Sequence, residues 1–249
     1  TLLIAFAGAD AALGGGIRGG VPGHEFVAAC RRAGVRRALF VRDVMRAWYL
    51  RGLGGGDGDE GHTFEGAMAL LRREIAAVRP RRVVTIGSSM GAYGAARAAL
   101  ALGAERAIAF SPQVLLEPAA RAAAGLPDAA PLDPLLRGLS AAGAAADFPL
   151  VSLVDAVSAA DAPAHTRLEV HVGSGAPADV VEAELLRAAA GDERCTITLH
   201  EGRDHNLVTD MRDAGELDAL LRRIAAGDDE GGGAAIPEEF RGFEDCPDF

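Results

Sequence analysis

The chain has 249 residues, with 25 basic and 35 acidic side chains, and every basic residue in the sequence is an arginine. Without lysine, the chain lacks the amine that P-loop nucleotide enzymes, Schiff-base enzymes and Tyr-x-x-x-Lys reductases require. A net charge of −10 argues against nucleic acid or an anionic membrane as the main partner. No apolar run approaches the roughly 20 residues that a membrane-spanning helix needs.

Apolar strand-like runs alternate with longer helical patterns along most of the chain, which is typical of a parallel sheet with crossover helices. The predicted strands are Leu2 to Phe6, Arg37 to Val41, Arg82 to Ile86, Arg106 to Phe110, Arg167 to Val172 and Cys195 to His200. The predicted helices cover about 24–33, 63–78, 90–102, 177–190 and 213–226. The pattern predicts one α/β domain over residues 1–226, a three-layer doubly wound and mainly parallel sheet.

Two segments depart from this alternation. Residues 111–162 are rich in proline and alanine and lie between two strands, so they predict an inserted lid, with a simple packing excursion as the alternative. Residues 227–249 are rich in glycine and acidic side chains and predict a flexible C-terminal tail. The alternative for the tail is docking of its phenylalanines on the body or on a partner.

The strongest local signal is the G-x-S-x-G spacing of Gly87, Ser89 and Gly91. An apolar strand runs directly into Gly87 and an alanine-rich helix follows, which is the strand-turn-helix setting that the motif requires. A turn this tight needs glycine two residues before and after the serine, and the helix N-terminus attracts negative charge at the serine. Ser89 is therefore the candidate nucleophile, while the alternative is an ordinary serine N-cap.

A glycine-rich turn after a strand can instead bind a dinucleotide pyrophosphate, and Gly87, Gly91 and Gly94 also fit that pattern loosely. The turn follows the third predicted strand rather than the first, Tyr93 occupies a position where glycine would be wanted, and the reductase lysine is missing. The sequence therefore disfavours a reductase.

A serine nucleophile needs a base within hydrogen-bond reach and a carboxylate that holds the base. Of the six histidines, only His205 lies in a polar loop directly after the final predicted strand. Asp179 follows the preceding strand, just before a helix, and is the candidate carboxylate, although it could simply stabilise the helix dipole. Asp204 is the second candidate, ranked lower because adjacent side chains usually diverge.

The chain order Ser89, Asp179, His205 resembles the serine hydrolases of the α/β-hydrolase fold over nearly the whole chain. The resemblance implies acyl transfer through an acyl-enzyme on an ester or thioester, by an esterase, thioesterase or acyltransferase without cofactor or metal. It also implies that the backbone amides of Met90 and Ala9 form the oxyanion hole. Ala7 stands where the family often has histidine, and the family's first two antiparallel strands are missing, so this chain is a minimal version.

The segment after the second strand contains the only tryptophan of the chain. Arg42 could bind a substrate carboxylate or phosphate, with Trp48 and Tyr49 as an apolar wall. The alternative is a surface network of Arg42 and Asp43 over a packed Trp48. The expected partner is a small-molecule or carrier-bound acyl substrate in the cytoplasm, and the sequence does not predict an oligomeric state. The competing hypothesis is a non-catalytic binding module on a hydrolase scaffold.

Overall fold

The computed structural model describes residues 1–9, 24–53, 61–126 and 150–226. Within them lie six strands, namely β1 Leu2–Phe6, β2 Ala38–Val41, β3 Val83–Ser88, β4 Arg106–Phe110, β5 Arg167–Gly173 and β6 Cys195–His200. The described helices are α1 Val27–Ala33, α2 Phe64–Val78, α3 Met90–Leu102, α4 Pro118–Ala123, α5 Leu153–Ser158, α6 Pro177–Ala190, α7 Leu207–Asp213 and α8 Glu216–Ala226.

The six strands form one parallel sheet in the order β2-β1-β3-β4-β5-β6. The central strands are continuous apolar runs because helices cover both faces of the sheet. One buried cluster packs α2, α3, α5 and α6 on one face, and a second packs α1, α7 and α8 on the other. The predicted three-layer, doubly wound parallel sheet is therefore confirmed.

The register aligns the carboxyl ends of the two central strands. Gly87 at the end of β3 is the register partner of Phe6 in β1 and of Ala109 in β4. The residues that follow β1, β3 and β4 therefore lie side by side at one edge of the sheet, which is where ligands bind in open α/β folds.

The predicted last helix, over about 213–226, corresponds to α8, and the structure adds a separate helix before it. This helix, α7, ends at Asp213, and Gly215 with φ 75° lies between α7 and α8. Leu207, Val208 and Met211 give α7 its own buried stripe at three-to-four spacing, so the helix begins directly after the His205 loop.

The segment predicted as a lid, residues 111–162, carries α4 and α5 in its described parts, and its residues 127–149 lie outside the described residues. The acidic tail, 227–249, lies outside them as well. In the described ranges, no helix combines the length and apolar composition needed to cross a membrane.

Candidate active site

Ser89 occupies the turn between β3 and α3 in a strained conformation. Its φ of 55° and ψ of −120° lie outside the regions that serine normally adopts, at a cost of about 1–3 kcal/mol. Its amide donates to the Phe110 carbonyl at 2.8 Å, which ties the turn to the end of β4. The turn thus holds the Ser89 side chain at the carboxyl edge of the sheet.

The two flanking glycines are required by sterics. A Cβ on Gly87 would lie 2.1 Å from the carbonyl oxygen of Gly91, and a Cβ on Gly91 would lie 2.2 Å from the carbonyl oxygen of Phe6. Both contacts are with backbone, so neither can be relieved by a side-chain rotation. The glycines predicted for a tight turn therefore also allow α3 to start directly against the end of β1.

His205 lies beside Ser89 although it comes 116 positions later in the chain. The distance from His205 Nε2 to Ser89 Oγ is 3.0 Å. On the other side of the ring, Nδ1 lies 2.8 Å from Asp179 Oδ2. With Nδ1–H donating to the carboxylate, Nε2 carries the lone pair that accepts the Ser89 hydroxyl proton. The three side chains form one continuous hydrogen-bonded relay.

Asp179 lies in the first turn of α6 and is almost fully buried, with 9 % of its surface exposed. Asp204, the second sequence candidate, is exposed and accepts from the Asn206 amide at 2.7 Å, at the N-terminus of α7. The structure therefore brings Asp179 and not Asp204 to His205.

Some backbone amides near Ser89 already donate a hydrogen bond within the protein. The Gly8 amide donates to Glu25 Oε1 at 2.8 Å, and the Ser89 amide is taken by Phe110. Met90 is the first residue of α3, and the first amides of a helix have no acceptor within the helix. Ala9 follows Gly8 directly after β1 and is buried. Met90 thus follows the Ser89 turn directly, while Gly8, the neighbour of Ala9, lies so close to the turn that a Cβ there would be 2.9 Å from the Ser88 carbonyl oxygen.

The predicted aromatic wall is corrected by the structure. Tyr49 is 1 % exposed, and its hydroxyl donates to the Ala7 carbonyl at 2.8 Å, so the ring supports β1 from within the core. Gly94 makes room for this ring, because a Cβ there would lie 2.5 Å from a Tyr49 ring carbon. Trp48 is fully buried too and belongs to the same core cluster. Neither ring forms an exposed wall for substrate.

Arg42 and Asp43 do not form the alternative surface network. Asp43 is buried and its carboxylate accepts from the amides of Met45, Ala47 and Tyr49 at 2.9, 2.6 and 2.8 Å. Burial raises the pKa of Asp43, while these amides lower it. Arg42 is half-buried, and burial lowers the pKa of its guanidinium although the Glu25 carboxylate raises it. Arg42 is thus electrostatically coupled to the residue that binds the Gly8 amide.

One residue of the site was not singled out from the sequence. Gln113 is 3 % exposed, and its Nε2 lies 3.1 Å from Ser89 Oγ. The Trp48 Nε1–H group donates to Gln113 Oε1 at 3.2 Å. Its position in the sequence could have indicated it. Gln113 comes three residues after β4, which is the strand next to β3, and the residues that follow adjacent parallel strands lie at the same edge of a sheet.

Buried charges hold the loop that carries Gln113. Glu182 of α6 accepts from the amides of Val114 and Leu115 and forms an ion pair with Arg121 at 2.6 Å. Both side chains are less than 10 % exposed. Burial raises the pKa of Glu182, although Arg121 and the two amides lower it. Glu182 lies three residues after Asp179, so one face of α6 supports both the His205 imidazole and the Gln113 loop.

No protein-family model matches the chain, and no curated protein matches it significantly. Solved structures that are similar in fold at low identity include three hydrolases. Brefeldin A esterase, a bacterial homologue of human hormone sensitive lipase, is 16% identical over 90% of this chain and 67% of its own, with a TM-score of 0.55.

The other two are further hydrolases by their own descriptions. A carboxylesterase of the thaumarchaeon Nitrososphaera gargenis is 14% identical over 92% of each chain, with a TM-score of 0.53. An S-formylglutathione hydrolase from Agrobacterium tumefaciens is 14% identical over 90% of this chain and 83% of its own, with a TM-score of 0.50. The sheet order and these likenesses together show that the chain has the α/β-hydrolase fold.

Proposed function

We propose that the protein is a serine hydrolase or acyltransferase that acts on an ester or thioester through Ser89, His205 and Asp179. The observation that carries the proposal is the relay from Ser89 Oγ to His205 Nε2 at 3.0 Å and from Nδ1 to Asp179 Oδ2 at 2.8 Å. A nucleophile, a base and a buried carboxylate in this order are the recurring arrangement for acyl transfer. The esterases with the same fold add support.

The first half of the proposed cycle forms an acyl-enzyme. Ser89 Oγ gives its proton to His205 Nε2 and bonds to the acyl carbon, and the bond to the alcohol or thiol then breaks. His205 passes the proton to the leaving group. Asp179 holds the imidazole in the required tautomer and stabilises the cation that forms between the two transfers. General-base help of this kind contributes about 10²–10⁴-fold to the rate.

The second half releases the acyl group. Water, or the hydroxyl group of an acceptor, gives its proton to His205 and bonds to the acyl carbon, and Ser89 Oγ leaves with the proton returned by His205. In both halves the carbonyl oxygen becomes negative, and we propose that the Met90 and Ala9 amides stabilise it. Loss of one such donor typically costs about 100- to 1,000-fold in rate. The positive end of α3 adds to the stabilisation.

The substrate class is part of the same proposal. Arg42 is the cation we propose for a carboxylate or phosphate on the substrate, because it is half-buried near the loop that follows β1 and is coupled to Glu25. Such a group suits a small acid or a carrier-bound acyl chain. An Arg42→Gln variant should then raise KM for a charged ester without raising it for a neutral ester of similar size.

The direct test compares wild-type protein with Ser89→Ala. The wild type should hydrolyse short p-nitrophenyl esters and react with a fluorophosphonate, and Ser89→Ala should do neither. Ser158→Ala is the matched control, because Ser158 is exposed at the end of α5. Full hydrolysis by Ser89→Ala would reject the proposal, and a wild type without either activity would favour a binding module.

A further inference from the structure

The Gln113 carboxamide faces the Ser89 hydroxyl, and its orientation decides where the hydroxyl proton points. Gln113 Nε2 lies 3.1 Å from Ser89 Oγ, and Gln113 Oε1 lies 3.4 Å from the same atom. If the nitrogen faces Ser89, the amide donates and leaves the hydroxyl proton for His205. If the oxygen faces Ser89, it competes with His205 Nε2 for that proton.

Trp48 selects the first orientation. An indole Nε1–H group can only donate, and it lies 3.2 Å from Gln113 Oε1. The carboxamide oxygen is therefore held towards Trp48, and its N–H group is turned to Ser89 Oγ. Ser89 Oγ then accepts from Gln113 and donates to His205 Nε2, which is 3.0 Å away.

Backbone strain is concentrated in three segments near Gln113, namely the Trp48 loop, the Ser89 turn and the chain directly after β4. Six non-glycine residues in the described ranges have positive φ, and five of them belong to these segments: Arg46, Trp48, Tyr49, Ser89 and Ser111. Each costs about 1–3 kcal/mol, and such strain collects where function needs a particular geometry. The buried Asp43 carboxylate offsets part of the cost, since it accepts three amides of the Trp48 loop.

The backbone of the segment that carries Gln113 is also held in place on both sides of this residue. Ser111 has φ 48°, and its amide donates to the His171 carbonyl at 2.9 Å, so the chain turns sharply after β4. Pro112 restricts the next φ angle, and Glu182 binds the two amides that follow Gln113. Gln113 is therefore held from both sides rather than carried on a free loop.

We propose that Gln113 is a catalytic hydrogen-bond donor to Ser89 Oγ and that Trp48 is its positioning residue; this rests on the function proposed above. When Oγ loses its proton to His205 and attacks the acyl carbon, the Gln113 N–H group stabilises the negative charge on Oγ. When the acyl carbon–Oγ bond breaks during release, the same donor stabilises the departing oxygen until His205 returns the proton.

The test uses two variants of Gln113 and one of Trp48 in the full chain. Gln113→Leu removes the donor, and Gln113→Glu keeps the shape and an acceptor for Trp48 but places a carboxylate oxygen at Ser89. Both should lower kcat for p-nitrophenyl butyrate by about 100-fold, as for other lost donors at a reacting oxygen, with KM within about threefold. Trp48→Phe lets the amide rotate and should lower kcat by about 3- to 10-fold.

A matched control separates this role from general destabilisation. Thr166 is fully buried, and its hydroxyl donates to the Ala104 carbonyl at 2.7 Å, at the end of the sheet away from Ser89. Thr166→Val removes one buried hydrogen bond and should lower the melting temperature while kcat stays within about twofold. If Gln113→Leu does not fold, the kcat of Gln113→Glu decides the proposal.

Trp48 gives a spectroscopic reading, because it is the only tryptophan in the chain. Fluorophosphonate modification of Ser89 should change its emission in the wild type and not in Gln113→Leu. Wild-type kcat in the folded Gln113 variants, or unchanged Trp48 emission after complete labelling, would overturn the proposal. If Ser89→Ala retains activity, the proposed function itself fails, which is a separate outcome.

Discussion

Asp179 Oδ2 lies 2.8 Å from His205 Nδ1, and the two residues come from opposite ends of one helix–strand unit. Helix α6 begins at Pro177 and places Asp179 in its first turn, and β6 returns the chain to the same edge of the sheet, where the His205 loop follows. The separation of 26 positions from Asp179 to His205 matches the length of that unit. The carboxylate is buried while the histidine is half-buried, so the charge that orients the imidazole is shielded from water.

This relationship predicts that Asp179→Asn lowers kcat/KM for p-nitrophenyl esters by about 10³- to 10⁴-fold. Asparagine keeps the shape, but its amide stabilises the wrong histidine tautomer and no longer stabilises the cation. Asp204→Asn is the comparison, because Asp204 binds the Asn206 amide instead, and it should change kcat/KM by less than about threefold. Equal losses in the two variants would contradict the assignment of Asp179.

The buried Arg121–Glu182 pair predicts a large stability effect. Glu182→Gln leaves the Arg121 guanidinium buried without its carboxylate, so the free energy of unfolding should fall by about 3 kcal/mol. Urea unfolding measures the loss. Arg187→Gln breaks exposed pairs with Glu184 and Asp192 and should lower the free energy of unfolding far less than Glu182→Gln does. Similar losses of unfolding free energy in the two variants would contradict the prediction that burial makes the Arg121–Glu182 pair more important for stability.

The burial of His24 leads us to expect that the free energy of unfolding depends on pH. It is buried with Nε2 3.1 Å from the Ala5 carbonyl oxygen, and burial lowers its pKa to about 4, with a smaller contribution from Arg42. Because the unfolded histidine titrates near 6.5, it binds a proton before the folded one does. The stabilisation is therefore complete above about pH 6.5 and is lost as the pH falls towards about 4.

Between pH 7.5 and pH 5, this one group should cost the wild type about 2 kcal/mol of unfolding free energy. His24→Gln should remove that part of the acid sensitivity, and urea titrations at the two pH values measure it. His62→Gln is the control, because His62 is exposed. An acid response of His24→Gln equal to that of the wild type would contradict the prediction.

Much of the fold could be predicted because the sequence patterns are local. Continuous apolar runs gave β1 and β4 with their observed bounds, and the start of α6 follows from Pro177, which fits the first helical turn. Helix α7 was not predicted, because its seven residues are too few to show a clear helical period. Gly215, which has a left-handed φ, lies between α7 and α8.

The site was predictable where one motif fixes the local backbone, and less so where tertiary packing decides. Ser89 follows from glycine spacing between a strand and a helix, and His205 from its loop after the last strand. For Trp48 the sequence left an apolar wall and a packed ring both open, because an aromatic pair after a strand gives no sign of which way the loop folds. That direction depends on Asp43, whose carboxylate turns the loop inwards by binding its amides. Gln113 has no motif, and only the strand order brings it to Ser89.

Whether Ser89 forms an acyl-enzyme can be read from the intact mass of the protein. Wild-type protein and Ser89→Ala would each be incubated with a panel of acyl thioesters and p-nitrophenyl esters, quenched in acid, weighed and mapped by peptide digestion. We expect a mass increase of one acyl group on the wild type, located on Ser89 and missing from Ser89→Ala. An acyl group on another residue, or a wild type that gains no mass from any donor and does not react with a fluorophosphonate, would contradict this expectation.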